Sequence, residues 1–202
     1  SLRASEATIY ERWGFGIASN VARWRSRWTG PTSARGCPRA VTSGWSTCAS
    51  GPTRTCWPGS TPAQLVGAID RPSYWWRARA HVRQLGQDHH YAVVHGIPGH
   101  EDGFAIYTPQ DSSTWFRSKD RCIVVGDFVA NTSRAHFGLL RYLLSLDLVQ
   151  RVVLDTMPVD HSIEKLFTDE RSVSTHGRRD ETWLRWSTCR PRWPPAPTAP
   201  VR

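Results

Sequence analysis

Four histidines crowd one short stretch, His89, His90, His95 and His100, and neutral imidazole is a common ligand for transition metals. Their spacing favours a surface or strand-edge placement. His89 and His90 are adjacent, no helical His-x-x-x-His pair occurs, and the group runs across a strand and a turn, so no metal is expected. Asp155, Asp160 and His161 fall near the expected ends of a strand and a short helix, where catalytic groups often sit. A hydrolase would need a nucleophile elbow such as Gly-x-Ser-x-Gly, and the sequence has none. Trp75-Trp76 with Arg77 and Arg79 reads as a helix anchor in which rings pack and arginine stems snorkel. Ile9-Tyr10-Glu11-Arg12-Trp13-Gly14-Phe15 is a helix end in which Gly14 takes the left-handed conformation. Tyr10 on its own would be an ordinary helix tyrosine with its ring in the core.

The elements that would position these groups follow an α/β pattern from about residue 62. Residues 64–69 and 74–85 are expected to be helical, split by Pro72. Residues 91–95 and 103–107 read as strands around the turn Ile97-Pro98-Gly99. Residues 121–129 form a long apolar strand, and Thr132 or Ser133 can cap the helix after it, with Phe137, Leu140, Leu144 and Leu148 as its apolar positions. A strand at 151–154, closed by Pro158, completes a β-α-β crossover. A short amphipathic turn or helix at 163–167 and a last strand beginning at 182–184 follow. The expected class is α/β, with the mixed sheet of an α+β arrangement.

The 202 residues carry a net charge of +9, which would ordinarily point to nucleic acid or an anionic surface. The charge is localised. Arg23, Arg25, Arg27, Arg35, Arg39 and Arg54 lie in 21–60, and Arg190, Arg192 and Arg202 in 186–202, with no acid in either stretch. Together these nine account for the whole excess. Residues 21–60 use only nine residue types, include Trp24, Trp28, Trp45 and Trp57, and show neither helical nor alternating apolar periodicity. Apart from Val21 and Val41, every residue there has G or C at its second codon position, and only Val201 breaks the same pattern in 186–202. A GC-rich gene read one base out of register has this signature. Trp-Ser-Thr-Cys occurs in both segments, at 45–48 and 186–189. Moved back one base it would read Leu/Val-Val-Asp-Leu/Val, an ordinary strand. Both segments are therefore expected to be frame-shifted translation, and a basic nucleic-acid-binding insert is the disfavoured alternative. Cys37, Cys48, Cys56, Cys122 and Cys189 are odd in number and contain no Cys-x-x-Cys pair, so neither a disulfide framework nor a zinc site is expected. No run reaches the length of a membrane span and no signal peptide is evident, so a cytoplasmic location without a membrane partner is expected.

Ala4-Ser5-Glu6-Ala7-Thr8-Ile9-Tyr10-Glu11-Arg12-Trp13-Gly14-Phe15-Gly16 resembles the late motif of the GNAT (Gcn5-related) N-acetyltransferases, and the Eis (enhanced intracellular survival) acetyltransferases in particular. Gly103-Phe104-Ala105-Ile106-Tyr107, the helix end at 141–147 and Trp183-Leu184-Arg185 resemble the second GNAT-like domain of that family. The resemblance implies an acyl-CoA N-acyltransferase fold. Residues 1–25 would end a first GNAT domain, 26–60 would be irregular, 61–185 would be most of a second GNAT-like domain, and 186–202 an irregular tail. It implies acetyl transfer from acetyl-CoA, as co-substrate and without a metal, to an amine of the aminoglycoside or lysine type. Tyr10 matches the family's general acid, a phenol that protonates the departing thiolate. Ser5 and Glu6 match positions along the pantetheine arm of the cofactor. The family's pyrophosphate loop would lie before Ser1, and its sterol-carrier-like third domain, with the chain terminus as carboxylate base, would lie after Arg202. The 202 residues alone are accordingly expected to be an inactive fragment. A non-catalytic structural domain is the alternative, and a basic nucleic-acid-binding protein is disfavoured. The resemblance also implies a homo-oligomer and no nucleic-acid partner.

Overall fold

In a computed structural model of the chain, the described residues are 7–27, 47–48, 73–86, 88–97, 99–167 and 169–185. The elements run α1 (Ala7–Glu11), β1 (Gly16–Arg27), β2 (Thr47–Cys48), α2 (Ser73–Leu85), β3 (Tyr91–Ile97), β4 (His100–Pro109), β5 (Cys122–Ala130), α3 (Ser133–Leu144), β6 (Arg151–Pro158) and β7 (Val173–Leu184). Short 3-10 turns lie at Ser112–Thr114, Ile163–Leu166 and Glu170–Ser172. The strands hydrogen-bond in the order β2-β3-β4-β5-β6-β1-β7, the mixed sheet expected for the α/β class. The chain divides into two compact units, one of residues 22–178 and a smaller one joining 1–21 to 179–202.

In the larger unit β3, β4 and β5 form an antiparallel meander, with Val93 opposite Ala105 and Ala105 opposite Phe128. β5 then pairs parallel to β6, Ile123 with Val152 and Val125 with Leu154. Parallel neighbours need a crossover, and α3 supplies it. Thr132 caps α3, its hydroxyl oxygen accepting the Ala135 N–H. The buried face of α3 is Ala135, Leu139 and Leu143, one turn apart, with Gly138 and Leu140 beside them. This corrects the expected stripe. Leu140 is buried, but Leu148 lies beyond the helix at φ 63° and is exposed. A leucine-rich helix offers overlapping stripes of one period. Here the small residues Ala135 and Gly138 select the face by letting the helix approach the sheet, which counting apolar positions does not detect. Leu139 and Leu143 are fully buried, each contributing roughly 2 kcal/mol. On the opposite face Trp76 of α2 packs edge-on to Phe104, over Ala92, Val94 and Ile106.

β1 corrects the reading of 21–60 as without period. From Ala22 to Arg27, Ala22, Trp24 and Ser26 are buried while Arg23, Arg25 and Arg27 are exposed. That is the alternation of a half-buried strand. The strand sits where its polar groups find partners within the unit. Arg23 pairs with Asp155 at 2.5 Å, and the Ser26 hydroxyl donates to the Val152 carbonyl at 3.4 Å. β7 begins at Val173, nine residues before the expected start, because its exposed residues Ser174–Arg179 carry no apolar alternation. The expected helix at 64–69 lies outside the described residues.

In the smaller unit α1 leads through a turn into β1, and Trp183 of β7 is fully buried with its indole N–H donating to Asp180.

Candidate functional site

In the smaller unit the residues that could do chemistry gather at the exit of α1. Tyr10 is half-buried in the last turn of this five-residue helix. Its carbonyl accepts the N–H groups of Trp13 at 3.0 Å and Phe15 at 3.2 Å, and its ring meets Phe15 edge to face at 6.3 Å. Gly14 reverses the chain at φ 73°, a conformation costly for any residue with a Cβ. Arg185, next after β7, lies against this turn. Its guanidinium stands 5.4 Å over the Phe15 ring and donates to the Trp13 carbonyl at 3.3 Å. Ser5 and Glu6, the expected cofactor contacts, lie outside the described residues.

The larger unit holds four polar groupings around α3 and the sheet. The His95 ring N–H donates to the Asp102 carboxylate at 2.5 Å, and the Thr132 hydroxyl donates to the other oxygen at 2.8 Å. This ties β3 and β4 to the start of α3. The ring is also wedged on the helix, since a Cβ on Gly138 would lie 2.6 Å from it. His136 of α3 stacks on His161 at 4.8 Å, with Phe128 edge-on at 5.1 Å. Burial and the neighbouring His161 lower the His136 pKa to about 4, and burial also lowers that of His161 against the pull of Asp160 and Glu164. On the other face Asp127 of β5 is buried beside Arg79, whose guanidinium covers the Trp75 ring. Tyr107 is raised well above the ordinary phenol range, by burial first and then by its hydrogen bond with Tyr142.

The histidine group of 89–100 is thus dispersed. His90 hydrogen-bonds Thr108, His95 takes part in the Asp102 network, and His89 and His100 are exposed. Among the described residues no cluster of three or more potential metal ligands occurs. Asp155 is engaged by Arg23, and His161 by His136.

The family model for the acetyltransferase (GNAT) domain matches residues 67–192. The chain belongs to the GNAT acetyltransferases. This GNAT chain is 27% identical over 209 residues to the N-acetyltransferase Eis of Mycobacterium tuberculosis (strain ATCC 25177 / H37Ra), with 92% of the chain and 45% of the relative covered. Its fold matches crystalline Eis1 from Mycobacterium abscessus with a TM-score of 0.71 and 34% identity, over 91% of this chain and 46% of that one. A GCN5-related N-acetyltransferase from Anabaena variabilis shares the fold at a TM-score of 0.63 and 14% identity, over 90% and 44% of the two chains. The GNAT chain therefore spans less than half the length of these relatives. The Eis-like resemblance of its motifs is borne out.

In the sequence Arg185 closes the Trp183-Leu184-Arg185 motif with no role of its own. The signal that could have raised it is the arginine at the end of an expected strand. The pairing of His136 with His161 had no sequence signal, because the two rings come from different elements 25 positions apart.

Proposed function

We propose that this chain serves an N-acetyltransferase that moves acetyl from acetyl-CoA to an amine, of the aminoglycoside or lysine side-chain type. The observation that carries the reading is the likeness to Eis N-acetyltransferases over 92% of the chain, joined to Tyr10 at the glycine turn that ends α1. In this reading the amine lone pair attacks the thioester carbonyl and a C–N bond forms. The tetrahedral intermediate then collapses and the C–S bond breaks. The Tyr10 phenol protonates the departing sulfur, and the new amide's nitrogen loses a proton to solvent. Ser5 and Glu6 would lie along the pantetheine arm. No metal takes part in this chemistry. The enzyme would work in the cytoplasm, where acetyl-CoA is supplied, and as a homo-oligomer.

The 202 residues in isolation are proposed to lack turnover. Their coverage of less than half of each relative supports this, and it is also what favours the second reading, a GNAT-like domain with a structural role. Free thiol released from acetyl-CoA in the presence of amine tests the proposal, using the full-length gene product and the 202-residue chain side by side. The full-length protein should release thiol, and Tyr10→Phe should slow it about 100-fold. A full-length protein that neither binds acetyl-CoA by calorimetry nor releases thiol would leave the structural reading standing. An unchanged rate in Tyr10→Phe would remove Tyr10 from the chemistry.

A further inference from the structure

Arg185 touches three successive residues of the turn that follows Tyr10. Its side chain donates to the Trp13 carbonyl at 3.3 Å, its Cδ lies 3.8 Å from where a Gly14 Cβ would stand, and its guanidinium covers the Phe15 ring at 5.4 Å. The contact joins positions 172 residues apart within the smaller unit. The turn in turn fixes Tyr10, whose carbonyl accepts the Trp13 and Phe15 N–H groups and whose ring leans on Phe15. A helix of five residues cannot hold a side chain in place by its own hydrogen bonds, because one turn of helix is unfavourable alone. Something outside must hold it.

We propose that Arg185 is the positioning residue for Tyr10, clamping the Trp13–Phe15 turn so that the phenol is held for proton transfer. This rests on the reading of Tyr10 as the general acid. Phe15 is the intermediary, with Tyr10 at its edge and the cation on its face. The clamp needs a guanidinium. A planar group can stack on Phe15 while one of its N–H bonds reaches the Trp13 carbonyl, whereas an ammonium is a point charge without a face to lay on the ring. Arg185→Lys should therefore restore only part of what Arg185→Gln loses.

Two measurements test the clamp. In the 202-residue chain carrying 3-fluorotyrosine at position 10, the fluorine resonance should stand apart from that of the free amino acid. Arg185→Gln should collapse it onto the free value and Arg185→Lys should place it between, while 3-fluorotyrosine at position 107 in the larger unit stays unmoved. A position-10 resonance unaffected by Arg185→Gln would overturn the proposal, and so would loss of both signals, which would mark general unfolding. In the full-length gene product Arg185→Gln should lower kcat 10- to 100-fold with KM for acetyl-CoA within twofold, as a displaced catalytic group does. The same substitution should cost nothing more in a Tyr10→Phe background. An equal loss in both backgrounds would show that Arg185 acts without Tyr10. A wild-type rate in Tyr10→Phe alone would instead refute the general-acid reading and leave the fluorine result to decide the clamp.

Discussion

Stability should depend on pH through His136. Its ring is stacked on His161 and edge-on to Phe128, and its Nε2 is buried without a hydrogen-bond partner among the described residues. Desolvation is the larger cause and the adjacent His161 the smaller, and together they lower its pKa from 6.5 to about 4. A depressed histidine folds in its neutral form. Between pH 6.5 and 4 the unfolded chain binds a proton that the folded chain refuses, so stability is fully present above 6.5 and drains away as the pH falls towards 4. A tenfold difference in proton affinity corresponds to about 1.4 kcal/mol, which would make the full effect about 3 kcal/mol. The ring is partly open to solvent, and screening there reduces the expected loss to about 2 kcal/mol. Asp160 and Glu164 face His161 and partly offset its own shift. Urea unfolding at pH 7.5, 6.5, 5.5 and 4.5 should show wild type losing about 2 kcal/mol more than His136→Phe over that range. Carboxylate titrations are common to both proteins and cancel. His136→Gln provides the same comparison if the phenylalanine variant does not fold. A wild-type-minus-variant difference that stays flat with pH would refute the buried neutral ring.

Three further outcomes are expected. Gly138→Ala gains about 1 kcal/mol of helix propensity but drives a Cβ to within 2.6 Å of the His95 ring and displaces it from Asp102. That charge-assisted bond contributes about 2 kcal/mol, so denaturant unfolding should show a net loss of about 1 kcal/mol; a stabilised variant would mean the ring yields freely. Trp24→Phe removes a buried indole N–H that has no partner among the described residues, a relief of about 1 kcal/mol that offsets the cavity left by the smaller ring, so the urea midpoint should shift by less than about 1 kcal/mol with an unchanged slope. Resequencing the coding DNA should find that single-base corrections restore one reading frame through 26–60 and 186–202, and a confirmed sequence with no better frame would sink that idea.

The β5-α3-β6 unit was legible in the sequence because each signal is local. An apolar run, a Thr132 cap and a leucine-rich helix follow one another within 37 residues. The start of β7 was not, since Ser174-Thr175-His176-Gly177-Arg178-Arg179 is exposed at the edge of the sheet and has no apolar face to announce it. β1 was hidden by composition. Arg23, Arg25 and Arg27 count as charge in a tally, yet their spacing of two is a strand signal once Trp24 and Ser26 are seen between them. At the candidate site the motif around Tyr10 was readable as a string. Arg185 was not, because its role depends on a contact that only the folded chain creates.

The place of β1 in the sheet has a consequence for how the protein is made. Its partners Val152, Asp155 and Ser174 lie 126 to 149 residues further along. At roughly 5–20 residues per second the strand leaves the ribosome some 6–30 s before anything exists for it to pair with. An unpaired strand in a crowded cell invites the matching strand of the next nascent chain. Cationic side chains at every second position repel that identical neighbour, as gatekeeper charges do. Arg23 and Arg25 thus protect the strand during the wait, and Asp155, once synthesised, supplies the counter-charge that lets Arg23 settle against β6.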